Sequence, residues 1–88
     1  MPSQTVLITN KRGLHARASA KFVTLASELV ATSRVDKDGN SVVGTSIMGL
    51  MMLGAAMGDS VTISTEGVGA DEALERLVTL VEGRFGED

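Results

Sequence analysis

TSRVDKDGNSVVGTSIMGLMMLG, residues 32–54, is the stretch on which the fold turns. Thr32–Asp36 reads as a strand, though a weak one. Asp38-Gly39 follows, the strongest hairpin signal in the chain, because both central residues of a type I′ turn need positive φ. Ser41–Gly44 is then the returning strand. Ser46 is placed as the N-cap of a short helix running to Leu53, and Gly54 ends it. An antiparallel pair therefore sits mid-chain with a helix directly after it.

The flanks extend this unit on both sides. Thr5–Thr9 is rich in β-forming residues, and the polar Asn10–Gly13 reads as a loop. From Ala16 to Val30 the apolar residues Phe22, Val23, Ala26, Leu29 and Val30 fit helical spacing, so a helix starts just after His15. Beyond the centre, Ser60–Thr65 alternates Val61 and Ile63 with Thr62 and Ser64, the pattern of a half-buried strand. Gly67 and Gly69 mark a turn. Asp71–Arg84 is the clearest helix, with Leu74, Leu77, Val78 and Val81 along one stripe. Asp71, Glu72 and Glu75 suit its positive end and Arg84 its negative end. The order is β-α-β-β-α-β-α, an α+β fold with one antiparallel sheet and helices over one face. With no repeat or linker, residues 1–88 read as a single domain.

Composition limits what such a domain can do. The 88 residues include no cysteine, which leaves neither disulfides nor thiolate metal ligands. One histidine without a thiol makes a metal site a poor reading, and no cofactor motif appears. The formal charge of −3 and the presence of only Phe22 and Phe85 as aromatics argue against nucleic acid. Met1–Ile8 lacks a basic region followed by an apolar run, and Ile47–Met57 is too short and glycine-interrupted to span a bilayer. The expectation is a cytoplasmic protein without membrane insertion.

The net charge conceals an asymmetry. Lys11, Arg12, Arg17 and Lys21 are half of the eight basic residues, and no acid precedes Glu28. This reads either as a solvated face or as a local anion site on an acidic protein. His15, the single histidine, lies among these cations. A helix N-terminus offers unpaired amides and a dipole that favour phosphate. A histidine just outside that turn can hold a phosphoryl group over the amides of Ala16 and Arg17. The Arg17 guanidinium can add a planar fork to the oxygens. The same dipole disfavours imidazolium, leaving a lone pair for attack on phosphorus. A capping or surface histidine is the plain alternative.

The residues around His15 resemble a known family. GLHARASAKFV (Gly13–Val23) is similar to the active-site segment of HPr, the histidine-containing phosphocarrier of the phosphoenolpyruvate-dependent phosphotransferase system. TSIMGLMMLGA (Thr45–Ala55) is similar to that family's second signature, around its regulatory serine. The likeness covers essentially the whole chain. It implies an open-faced β-sandwich with sheet order 1-4-2-3. It implies a carrier, not an enzyme: His15 accepts phosphate from enzyme I through Nδ1, Arg17 steadies it, and an enzyme IIA-type protein receives it. It implies a monomer that serves in sugar uptake or in a related regulatory branch. Two positions depart from the pattern. Ala18 stands where many relatives have proline, which suits a first helical turn because its missing N–H was unpaired anyway; alanine is a good helix former there too, so the expected cost is small. Thr45 stands where many Gram-positive relatives have lysine, which weakens transfer of a serine kinase or phosphatase acting on Ser46.

The helix after Ser46 is apolar nearly all round. By spacing Leu50 and Leu53 face the core, while Ile47, Met48 and Met51 face outward as a docking patch. Methionine suits a surface that must fit several partners. A covering loop is the plain alternative for these residues. The rival function is a non-catalytic regulatory interaction module acting through Ser46–Leu53, with His15 incidental.

Overall fold

The computed structural model describes residues 1–87. Its centre is the hairpin. Strand β2 (Thr32–Lys37) pairs antiparallel with β3 (Asn40–Val43), and Lys37 faces Asn40 across the two-residue turn. Asp38 (φ 51°) and Gly39 (φ 83°) both take the left-handed conformation that this turn demands. Strand β4 (Ser60–Glu66) lies between β2 and β1 (Ser3–Leu7), with Val35 opposite Ile63 and Val6 opposite Val61. The sheet order is β1-β4-β2-β3, with every pairing antiparallel.

Alternation divides the sheet into two faces. Val6, Val35, Val61 and Ile63 are buried on one. On the other, Thr5 and Thr62 share a hydrogen bond of 2.9 Å and Arg34 Nε donates to Ser41 Oγ at 2.9 Å, all exposed. Helix α1 (Ala16–Glu28) turns Ala18, Ser19, Phe22 and Ala26 inward, and α3 (Ala70–Glu82) turns Ala73, Leu74, Leu77, Val78 and Val81 inward. Between them in sequence, the short α2 (Ile47–Met52) buries Leu50. Each fully buried leucine-sized side chain contributes about 1.5–3 kcal/mol, so the helices and the sheet face beneath them hold the core together. The architecture is the open-faced α+β sandwich expected, with three helices on one side of the sheet.

Three elements, β1, α1 and α3, end two residues away from the sequence reading. β1 spans Ser3–Leu7 because its ladder with β4 starts at Ser3 opposite Ser64. Ile8 lies beyond it, yet stays buried and bonds Asp59 and Gly58 through its backbone. α1 stops at Glu28. Leu29 leaves helical geometry (φ −91°, ψ 143°) to feed β2, and Val30 points to solvent at 85% exposure. α3 stops at Glu82, and a 3-10 turn, Arg84–Gly86, follows with Arg84 (φ 59°) and Phe85 (φ 54°) left-handed. Arg84 therefore lies past the helix instead of in its last turn.

Candidate functional site

The loop before α1 is held from several directions. Gly13 takes a φ of +62°, and a Cβ there would run into the backbone of Ala55 and Ala56. Only glycine satisfies both conditions. The next residue, Leu14, donates its N–H to the Ala55 carbonyl at 2.9 Å, tying this loop to the segment after α2. Ser19 Oγ donates to the Leu14 carbonyl at 3.1 Å. Asn10, fully buried, donates its Nδ2 to the Gly13 carbonyl at 2.9 Å.

These contacts set His15 as the N-cap of α1, in extended geometry (φ −72°, ψ 180°). Its Nδ1 accepts the Arg17 N–H at 3.2 Å. Its Nε2 lies 2.7 Å from Glu87 Oε2. The amide can only donate and an ionised carboxylate can only accept. Together they assign the neutral ring one tautomer, with the proton on Nε2 and the lone pair on Nδ1. The His15 side chain keeps 20% of its surface exposed, so another molecule can reach it.

Glu87 is the residue that the sequence reading missed. Its other oxygen, Oε1, accepts from Asn10 Nδ2 at 3.1 Å. Partial burial pushes the Glu87 carboxyl up. The hydrogen bonds from Asn10 and His15, with the nearby charge of Lys21, hold it below its ordinary range all the same. It is therefore ionised at neutral pH. Seventy-two positions separate it from His15, and no local pattern signals such a contact.

The basic residues gather where their clustering in the sequence suggested. Lys11, Arg12, Arg17 and Lys21, with Gly86 and Glu87, line an open cleft of about 420 Å³. Lys21 Nζ is engaged with the Phe85 carbonyl at 2.7 Å. Arg17 forms no ion pair among the described residues. The arrangement offers an anion a helix start, a guanidinium and an adjacent nucleophilic nitrogen. Among the described residues no group of metal-ligating side chains comes together. No helix among them is long and apolar enough to cross a membrane.

Ser46 caps α2, its Oγ accepting the Gly49 N–H at 3.0 Å. Leu50 and Leu53 are buried, while Ile47 (42%), Met48 (70%) and Met51 (42%) face solvent. Met52 and Met57 are exposed as well, a wider apolar surface than the spacing suggested. The Leu14–Ala55 hydrogen bond places the end of this helix against the loop that carries His15.

Comparison with known proteins gives a consistent match. The family model described as PTS-HPr, "PTS HPr component phosphorylation site", matches residues 2–83. The "Phosphocarrier protein HPr" of Cupriavidus necator is 45% identical over 87 residues, covering 99% of this chain and 98% of that protein. The "Phosphocarrier protein NPr" of Shewanella violacea is 40% identical over 82 residues, covering 93% of this chain and 90% of that one. Among solved structures, HPr from Thermoanaerobacter tengcongensis superposes with a TM-score of 0.95 at 45% identity, covering 100% of this chain and 99% of its own.

Proposed function

The chain belongs to the HPr family of phosphotransferase-system phosphocarriers, and on that premise we propose that His15 is its phosphoryl acceptor. Family members carry a phosphoryl group and are not themselves enzymes. The observation that supports His15 is its pair of ring contacts. Nδ1 holds the lone pair beside the first-turn amide, and Nε2 is occupied by Glu87. The donor is phosphorylated enzyme I and the acceptor an enzyme IIA-type protein. Similarity to HPr and NPr alike suits either the sugar-uptake or the regulatory branch.

The step needs little from the carrier beyond position and charge. The Nδ1 lone pair attacks phosphorus and an N–P bond forms. The donor's bond to phosphorus breaks, and the donor keeps that electron pair. The Arg17 N–H moves from Nδ1 to a phosphoryl oxygen, with the Ala16 amide and the Arg17 guanidinium as further donors. The return leg reverses this, with imidazole leaving. Ile47, Met48 and Met51, together with Met52, serve as the shared docking surface for donor and acceptor. Ser46 stands at its edge, the position for a regulatory phosphate set by a serine kinase and removed by a phosphatase.

The test is direct. The protein is mixed with phosphoenolpyruvate, magnesium and a generic enzyme I, and intact mass is recorded. The expected result is a gain of a single acid-labile phosphate that His15→Ala abolishes. Phosphate uptake that persists in a folded His15→Ala variant would place the acceptor elsewhere. An interaction module working through α2 alone would keep its function in that variant.

A further inference from the structure

The methionines of this chain are placed against their usual use. Methionine commonly fills irregular gaps in a core. Here all five are exposed, and the apolar core is built from valine, isoleucine, leucine, alanine and phenylalanine alone. Four of them, Met48, Met51, Met52 and Met57, fall within ten residues. Met48 (70%), Met52 (79%) and Met57 (59%) are more open than Met51 (42%). Leucine would supply the same apolar area. What sulfur adds is a lone pair that peroxides oxidise. The chain has no cysteine, tryptophan or tyrosine, so these thioethers meet no competition from those side chains. Phe22 and Phe85 are buried, and no phenyl ring shields the sulfurs.

The backbone fixes where the sulfurs stand. Around Met57 the Gly58 N–H is donated to the Ile8 carbonyl at 2.8 Å and the Asp59 N–H to the Ala56 carbonyl at 2.9 Å. The Ala56 N–H is donated to the Asp59 carboxylate at 2.9 Å. Met52 and Met57 thus bracket Ala55, the residue whose carbonyl holds the Leu14 N–H next to His15. The oxidisable groups lie beside the loop that carries the histidine, and none lies in the core.

We propose that Met48, Met52 and Met57 form an oxidative modification site, at which a peroxide converts thioethers to sulfoxides and the oxidised surface loses its partner proteins while the fold stays intact. The inference rests on the docking role of α2. In each step the sulfur lone pair takes one peroxide oxygen and the O–O bond breaks. Sulfur is oxidised by two electrons. The proton on the transferred oxygen passes to the departing hydroxide, and water leaves. The reverse step needs a methionine sulfoxide reductase and a dithiol: the oxygen leaves as water and the dithiol closes to a disulfide. A sulfoxide is strongly polar, so docking must desolvate it without a ready partner, which weakens association. Leu50 and Leu53, which seat α2 on the core, are untouched.

The experiment treats the full chain with dilute hydrogen peroxide. Peptide mass mapping comes first and needs no partner. The expected map shows one added oxygen on each of Met48, Met52 and Met57 before Met51, and none on His15. Unfolding stays cooperative, with a Tm within about 4 °C of the untreated chain. Titration with enzyme I then gives a Kd about tenfold weaker, and transfer at low donor concentration falls in proportion. Sulfoxide reductases acting on both epimers restore the original Kd. A chain carrying Met48→Leu, Met52→Leu and Met57→Leu, taken as its own reference, binds equally before and after peroxide. Three unmodified methionines, an unchanged Kd after their oxidation, a loss that accompanies unfolding, or a loss that the leucine chain shares overturns the proposal. Met52→Glu tells this failure from failure of the docking role, since it charges the same surface without oxidation. Weak binding in Met52→Glu with normal binding in the oxidised chain means that the surface docks but is indifferent to sulfoxides. Normal binding in both means that α2 does not dock the donor, and the proposal falls with that role.

Discussion

His15 and Ser46 each begin a helix, and each caps it by accepting a backbone N–H. His15 Nδ1 takes the Arg17 amide at 3.2 Å, and Ser46 Oγ takes the Gly49 amide at 3.0 Å. In backbone terms the two starts are alike: both caps are extended, and neither helix has an acid in its first turn. They differ in what else reaches the capping atom's side chain. Among the described residues, the serine hydroxyl makes its hydrogen bond only to a residue three positions away. The imidazole has a second nitrogen, and that nitrogen is tied to Glu87 from the other end of the chain. Four cations surround the first start, while exposed Ile47 and Met48 flank the second. Capping geometry alone therefore does not tell a reactive site from a structural one. On the proposed function, the long-range partner and the local field do.

The largest effect expected comes from making the two starts chemically identical. In His15→Ser the new residue is a strong N-cap, so α1 should lose no more than about 1 kcal/mol. Phosphoryl acceptance should fall to nothing, since no ring nitrogen remains. Thermal unfolding and intact mass after incubation with the donor system read the two halves separately. A stable variant that still gains an acid-labile phosphate would erase the distinction between the caps.

A smaller effect tests the other start. Ser46→Asp retains a capping oxygen at α2 and adds a negative charge beside Ile47 and Met48. Transfer onto His15 should slow by about threefold to tenfold, mainly through weaker association with the donor. The slowing should shrink as salt is raised, because exposed charges are screened. Rates equal to those of the parent at low salt would remove Ser46 from the docking surface.

How far the sequence discloses these two regions follows from the range of the contacts involved. The Asp38-Gly39 turn, the alternation along β4 and the Ser46 cap depend on neighbours within a few residues, and they are legible. The His15 loop is legible in part: Gly13 and Arg17 stand close by in sequence. Glu87 is not, because its contact with His15 depends on a bend at Arg84 and Phe85 for which neither residue type gives a signal. The stripe along α3 leads straight into Arg84, and nothing in its periodicity marks the end at Glu82. Val30 is a similar case. It keeps helical spacing, but the chain must leave α1 at Leu29 to reach the sheet, so tertiary demand overrides the pattern. Exposed Met52 escaped notice because an apolar residue in a short helix reads as core by default, and Met57 because it lies in the turn beyond that helix.

The smallest effect separates Ser46 as a cap from Ser46 as a contact. Ser46→Ala removes the hydrogen bond to the Gly49 amide and nothing else near it. The cost should be about 1 kcal/mol, a drop in Tm of about 4–8 °C for a chain of this size. Transfer measured well below that Tm should stay within about twofold of the parent, since the hydroxyl is committed to its own helix. The cap and the reactive start would then be separable by one methyl-sized change. A transfer loss greater than this, with α2 still folded, would mean that the hydroxyl itself meets the partner. The two helix starts would then belong to one functional surface, and the contrast between a structural cap and a chemical one would hold only for the isolated protein.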